Sequence, residues 1–328
     1  MPQPQATVAT TPGQSPGSRL ARRQFLKRAL LWGAGPAALG IYSTQVEPFW
    51  LEMHELPIQL ANWPAALDGF RLAHLTDLHA GKHVPLDYLR DVVKRVNDCG
   101  ADCVVVTGDI VHHDARWVDR AADLLAAIRP PLFTSLGNHD YCHGISVNPW
   151  CDVRLADALQ SALAERKILC LRNAAASLSH NGGRLWFVGL EDYYTDRMNP
   201  QKAFAGRAAG EAVIALSHNP DTAKYLTEHR PQLILSGHTH GGQVRIPGIG
   251  APYLNIFDRR LDKGLFSLGE STLYVSRGVG YIKRIRFCCR PEVPVLILRS
   301  APQRIKEPRE PGQSRPQQEP ARLNSHPT

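Results

Sequence analysis

Five short segments of the chain carry side chains able to bind divalent metals: Asp77-Leu78-His79, Gly108-Asp109, Gly137-Asn138-His139-Asp140, Ser217-His218-Asn219 and Gly237-His238-Thr239-His240-Gly241-Gly242. Carboxylate, carboxamide and imidazole together suit borderline ions such as Mn, Fe(II), Zn or Co. An all-oxygen set would favour Mg or Ca, and thiolates would favour structural Zn. The candidate ligands Asp77, His79, Asp109, Asn138, His218, His238 and His240 are too many for one ion and suit two. With Asp109 as the bridge, one ion takes Asp77, His79, Asp109 and His240, and the other takes Asp109, Asn138, His218 and His238. Two ions about 4 Å apart acidify a hydroxide held between them and clamp a phosphoryl group for in-line attack. The chemistry implied is hydrolysis of a phosphate ester.

Strands must bring these groups together. Short β-rich runs at 71–75, 103–107, 132–135, 213–216 and 233–235 each lead into one of the five segments, and 185–189, 273–276 and 295–298 read the same way. Helical periodicity covers 86–97, closing at Gly100, and 116–128, closing before Pro130-Pro131. The alternation predicts an α/β layered domain. In open α/β sheets the carboxyl ends of strands face the ligand crevice, so the five segments are expected to converge. Gly108, Gly137 and Gly237 are expected where the backbone turns sharply beside the site, which a residue without Cβ does at least cost.

The ordered pattern Asp-x-His, Gly-Asp, Gly-Asn-His-Asp, His, Gly-His-x-His resembles the calcineurin-like metallophosphoesterases over about residues 65–300. The resemblance implies a four-layered α/β/β/α sandwich of two mixed sheets flanked by helices, two divalent ions on the ligands above, and a role for His139. The expected role is proton transfer to the leaving oxygen, with Asp140 orienting the imidazole. Gly189-Leu190-Glu191-Asp192, the Gly-His-Thr-His-Gly-Gly-Gln run and Arg286-Phe287 followed by Arg290-Pro291-Glu292 look most like exported bacterial phosphodiesterases. Departures narrow the substrate. Purple acid phosphatases place a Tyr ligand where His112 stands, and Ser/Thr protein phosphatases continue differently after Gly-Asp than Ile110-Val111-His112-His113 does. UDP-diacylglucosamine hydrolases carry Arg at the His139 position, so that substrate is not assigned. The expected substrate is a phosphodiester, lipid- or nucleotide-linked. The alternatives are a non-catalytic scaffold on the same fold or a phosphoprotein phosphatase, and the intact ligand set disfavours the scaffold.

The two ends read differently from the middle. Of the formal charge of +8, residues 1–45 contribute +5 and 301–328 contribute +2, which leaves 46–300 near neutral and argues against nucleic-acid binding. Ala21-Arg22-Arg23-Gln24-Phe25-Leu26-Lys27 precedes an apolar stretch at 29–42 and resembles a twin-arginine export signal, with Ala21 in place of the usual hydroxyl residue. The expected domains are therefore 1–45 as signal or anchor, 46–300 as the phosphoesterase, and 301–328 as a disordered Pro/Arg/Glu/Gln tail. The expected location is outside the cytoplasm, reached through the twin-arginine machinery, at the periplasm or outer face of the membrane. A membrane-surface contact would rest on Trp150. Cys142 and Cys151 could close a loop, but two small buried thiols fit a protein that folds before export. His112 stands close enough to Asp109 to be a candidate for substrate contact, and His83 and His113 read as ordinary loop or surface residues. Arg259, Arg260 and Lys263 within 255–266 could grip an anionic headgroup, though a solvated loop is the simpler reading.

Overall fold

Apolar residues run almost unbroken along the central strands because both faces of each sheet are covered. The computed structural model describes residues 23–24, 34–141, 153–207 and 210–301. They contain two six-stranded mixed sheets. The first has the order β1 (Glu52–Leu60), β12 (Glu292–Ser300), β2 (Phe70–Leu75), β3 (Cys103–Thr107), β4 (Leu132–Ser135) and β5 (Leu169–Cys170). The second has the order β10 (Gly264–Leu268), β11 (Ser271–Val275), β9 (Leu233–Ser236), β8 (Ala212–Leu216), β7 (Gly183–Gly189) and β6 (Ala174–His180). Strands β2 to β5 are mutually parallel, as are β7, β8, β9 and β11. Strand β12 opposes β2, β6 opposes β7, and β10 opposes β11.

The period of two sorts side chains between layers. Phe70, Leu72, Cys103 and Val105 pack between the sheets against Phe187, Ile214 and Leu235. Ala73, Leu75, Val104 and Val106 belong instead to the cluster under α1 (Leu86–Asn97), α2 (Val118–Ala126) and α3 (Val153–Glu165). On the far side of the second sheet, Val213, Ala215 and Ile234 meet Ala203 and Phe204 at the end of α4 (Pro200–Ala203), and Ala223 and Leu226 of α5 (Ala223–Leu226). Helix, sheet, sheet, helix is the four-layered arrangement expected. His74, in the inter-sheet layer, is fully buried against Tyr274, and its Nε2 lies 2.8 Å from Thr107 Oγ1.

The strands that carry the five segments coincide with the sequence reading to within a residue. Those missing from it, β1, β5, β6 and β10, are the four sheet edges. An edge strand needs only part of its surface covered, so Ala174–His180 and Gly264–Leu268 are both half exposed, and Ala174–His180 carries Leu178 as its one large apolar residue. Helix α3 was also absent from that reading. Residues 34–41 are helical, and a turn at Tyr42–Val46 leads into β1. The export-signal residues, except 23 and 24, lie outside the described residues, as do Cys142, Trp150, Cys151 and 302–328. Cys99, Cys103, Cys170, Cys288 and Cys289 are free thiols. Among the described residues no helix is long and apolar enough to cross a membrane.

Candidate metal centre

The chain leaves each strand in a turn too tight for ordinary backbone angles. Asp77, His79, Asp109, His238 and His240 all take positive φ, between 48° and 68°. Asp and His tolerate this left-handed region better than most side chains, so the residue types that ligate also suit the turns. Of the three glycines expected to carry the sharp turns, only Gly108 has a positive φ, at 88°. Gly137 and Gly237 are there for space. A Cβ on Gly137 would lie 2.4 Å from Asp109 Oδ1, and one on Gly237 would lie 2.4 Å from Asp77 Oδ2. Backbone bonds then lock the loops together: Asp77 N donates to Gly108 O, His79 N to Asp109 O, and His139 N to Asp109 Oδ1. Asp77 receives the amide of His238.

These turns gather all seven candidate ligands in one buried cluster. Asp77, His79, Asp109 and His240 bring ligand atoms within 4.8 Å of one another. His240 Nε2 is 3.3 Å from Asp77 Oδ1, and His79 Nε2 is 3.5 Å from Asp109 Oδ2. On the other side of Asp109, His218 Nε2 is 3.2 Å from the same Oδ2. His238 Nδ1 is 3.3 Å from His218 Nε2 and 2.9 Å from Asn138 Oδ1. The outer ring nitrogens fix which inner ones are offered: His218 Nδ1 faces Thr107 O at 2.8 Å, and His238 Nε2 faces Asn255 O at 3.0 Å.

The donor chemistry fits divalent cations. His79 Nε2 and His240 Nε2 stand 3.0 Å apart, an approach of two basic nitrogens that requires a proton or a cation between them. Burial holds His79 and His240 well below the usual imidazole range, and His238 down to about 4, so these rings are neutral and ready to ligate. Burial, opposed by His218 and reinforced by Asp109, pushes Asp77 up to about 7. Burial would also raise Asp109, but the imidazoles of His218 and His139 hold it well below the carboxylate range. His218 rises to about 10 because Asp109 beside it outweighs burial, so a proton sits where a cation would neutralise the same carboxylate.

His139 lies at the edge of this cluster, its Nε2 4.0 Å from Asp109 Oδ2 and its Nδ1 buried without a hydrogen-bond partner among the described residues. The expected contact from Asp140 to its ring is absent. Asp140 spends both oxygens on the amides of Val111 and Gly137, so it braces the two metal-binding loops and positions His139 through the backbone. What flanks the ring is imidazole: His113 stacks on it with centroids 4.0 Å apart, and His112 at 4.8 Å. His112 Nδ1 also sits 3.0 Å from His79 Nδ1. His113 is thus not an ordinary surface residue, whereas His83 is exposed as expected, its ring 6.3 Å from that of His112. The available signal was two consecutive histidines just after the Asp109 turn. Tyr141 also bonds Glu191, which Arg172 pairs at 3.1 Å, tying the His139 turn to the end of β7.

The chain matches the calcineurin-like phosphoesterase family model over residues 70–242. It is 31% identical to phosphodiesterase YaeI of Escherichia coli K12, covering 85% of this chain and 99% of that protein. It is 29% identical to UDP-2,3-diacylglucosamine pyrophosphatase LpxG of Chlamydia trachomatis serovar D, covering 79% of this chain and 93% of the relative. It is also 29% identical to the metallophosphoesterase YkuE of Bacillus subtilis strain 168, over 86% of this chain and 99% of that one. With the ordered motifs gathered in one buried cluster of carboxylates and imidazoles, the chain belongs to the calcineurin-like phosphoesterases, metal-dependent hydrolases of phosphoester bonds.

Proposed function

We propose that this protein is a binuclear phosphodiesterase that works outside the cytoplasm. The observation that carries the reading is the position of Asp109 Oδ2, 3.5 Å from His79 Nε2 on one side and 3.2 Å from His218 Nε2 on the other, as a shared ligand requires. Asp77, His79, Asp109 and His240 would hold one ion, and Asp109, Asn138, His218 and His238 the second. Mn, Fe(II), Zn or Co suit this donor set. Bound there, the ions supply charge neutralisation at the phosphoryl oxygens and an acidified water. His139 stands beside both sets and delivers a proton to the leaving oxygen as the P–O bond breaks. Burial holds its ring well below the usual imidazole range, so the ring would take up a proton from solvent as the anionic substrate binds and pass that same proton to the leaving oxygen.

The diester preference draws support from YaeI, named a phosphodiesterase, and LpxG, named for a lipid-linked pyrophosphate. Export of the folded, metal-loaded protein draws support from Ala21-Arg22-Arg23-Gln24-Phe25-Leu26-Lys27. The test is turnover of bis(p-nitrophenyl) phosphate, p-nitrophenyl phosphate and a phosphopeptide by protein loaded with each metal. Chelator-sensitive activity that is highest on the diester is expected. Absence of turnover with every metal would make the chain a scaffold, and a phosphopeptide preference would make it a protein phosphatase. Export is tested by Arg22→Lys/Arg23→Lys, which should retain the protein in the cytoplasm.

A further inference from the structure

The loops leading away from the metal ligands end in exposed apolar tips. Ile246 and Ile249 flank a tight turn closed by Ile246 N donating to Gly250 O, and Ile249 is 75% exposed. Ile282 and Ile285 are exposed on the segment before β12. Gln243 fastens the two tips together: its Nε2 donates to Lys283 O and Ile285 O, both at 2.8 Å, and its Oε1 accepts from Ile282 N. Gln243 is three residues beyond His240, and the Ile249 loop returns to the centre where Asn255 O meets His238. The tips are therefore built onto the metal-binding turns and are ordered in advance. Contiguous exposed apolar surface of this kind marks an interaction site.

Its surroundings specify the partner. Ile282-Lys283-Arg284-Ile285 interleaves apolar and basic side chains, all exposed. Of the four basic residues in 281–290, Arg286 is buried and Arg290 pairs with Glu52, which leaves Lys283 and Arg284 on the tip. Lys283 and Arg284 have no carboxylate partner among the described residues, whereas Arg245 and Arg260 are paired with Asp262 and Asp258. The described helical segment 34–41 also arrives here, since Ser43 O just beyond it accepts from Arg286 N at 2.8 Å, and Leu39, Ile41 and Val46 are exposed. Protruding apolar tips with unpaired cations beside them match an anionic bilayer, where the apolar residues enter the acyl boundary and the cations stay with the headgroups. We infer that Ile246, Ile249, Ile282 and Ile285, with Lys283 and Arg284, form a docking face for an anionic lipid surface, holding the metal centre at headgroup level. The phosphodiesterase reading explains why docking is useful, but docking itself does not require it.

The test uses the full chain and vesicles of phosphatidylglycerol and phosphatidylcholine with brominated acyl chains. Over the emission of the six native tryptophans, the tryptophan added by Ile249→Trp should be quenched, and the one added by Leu169→Trp, on the far edge strand β5, should not. Lys283→Gln/Arg284→Gln should lower partitioning about 30-fold, at about 1 kcal/mol for each surface cation, and the difference should vanish on pure phosphatidylcholine. Equal quenching at positions 249 and 169, or wild-type partitioning of the double variant, would overturn the inference by leaving the N-terminal stretch as the only attachment. A lipid-free dimer that buries Ile249 would overturn it in favour of a second copy of the chain. Turnover of the soluble diester, recorded on the same samples, keeps the two readings apart: lost docking with intact turnover refutes only this face, and docking without turnover refutes only the phosphodiesterase.

Discussion

Gly137→Ala puts the account of the centre at risk with a single methyl group. The new Cβ would lie 2.4 Å from Asp109 Oδ1, 2.6 Å from Asp109 N and 2.8 Å from His218 Cδ2. Ordinary contact needs about 3.5 Å between heavy atoms, so one side must give by about 1 Å. Neither side gives easily. Asp109 Oδ1 is bound to His139 N, Gly137 N is bound to Asp140, and His218 Nδ1 is held by Thr107 O. Overpacking of this kind costs about 1–3 kcal/mol, a fall in melting temperature of about 2–12 °C for a domain of this size. A misplacement of about 1 Å in the reacting groups costs about 100-fold in turnover. Gly237→Ala is the companion variant, because its Cβ meets Thr76 Oγ1 at 2.1 Å and Asp77 Oδ2 at 2.4 Å and so presses first on the first donor set. Metal content by mass spectrometry, melting temperature and diester turnover are read together. The expected metal contents are about two ions for wild type, about one for Gly237→Ala and fewer than one for Gly137→Ala, by the shared-ligand logic of a two-ion site. Gly40→Ala, where nothing lies within 4 Å, is the control and should match wild type. Wild-type metal content and turnover in Gly137→Ala would refute the claim that these glycines keep space for the ligands.

Three further outcomes follow from the same geometry. His139→Ala should keep both metals and lose about 100- to 10,000-fold in turnover, the range for a lost general acid; loss of metal instead would make His139 a ligand. His112→Phe keeps the ring against His139 but removes the nitrogen 3.0 Å from His79 Nδ1, so metal affinity measured by competition with a chelator should weaken about 10- to 100-fold. His74 is buried away from the ligands, and burial lowers its folded-state pKa from 6.5 to about 3. The unfolded chain therefore takes up the proton first as pH falls below 6.5, and stability should drop through the window from 6.5 to about 3. Denaturant unfolding between pH 5.5 and 4.5 should show wild type losing about 1.4 kcal/mol more per pH unit than His74→Leu. Identical slopes would remove His74 as the cause.

The positions of the ligands along the chain were legible because each follows a central strand whose two buried faces demand a continuous apolar run. Cys103–Thr107 and Leu132–Ser135 have the bounds their patterns predict for that reason. The edge strands left a weaker trace, since a partly solvated strand such as Ala174–His180 is free to use Ala, Ser and His. Chemistry inferred from residue type also carried over: carboxylates, an amide and imidazoles spread across more than 160 residues stand within a few ångströms of one another.

The local order of amino acids determined which side chains this protein offers to a metal and on which strand ends they ride, because hydrophobic periodicity and donor chemistry are properties of short segments. Only the packed structure decided how those ends are held. It showed that Gly137 and Gly237 serve space and not torsion, that Asp140 binds backbone amides and not the His139 ring, and that His112 and His113 flank that ring. The tips at Ile249 and Ile285 likewise became neighbours only through Gln243. These are contacts between residues distant in the chain, set by the crossing of two sheets and their loops, and no pattern within one segment encodes them.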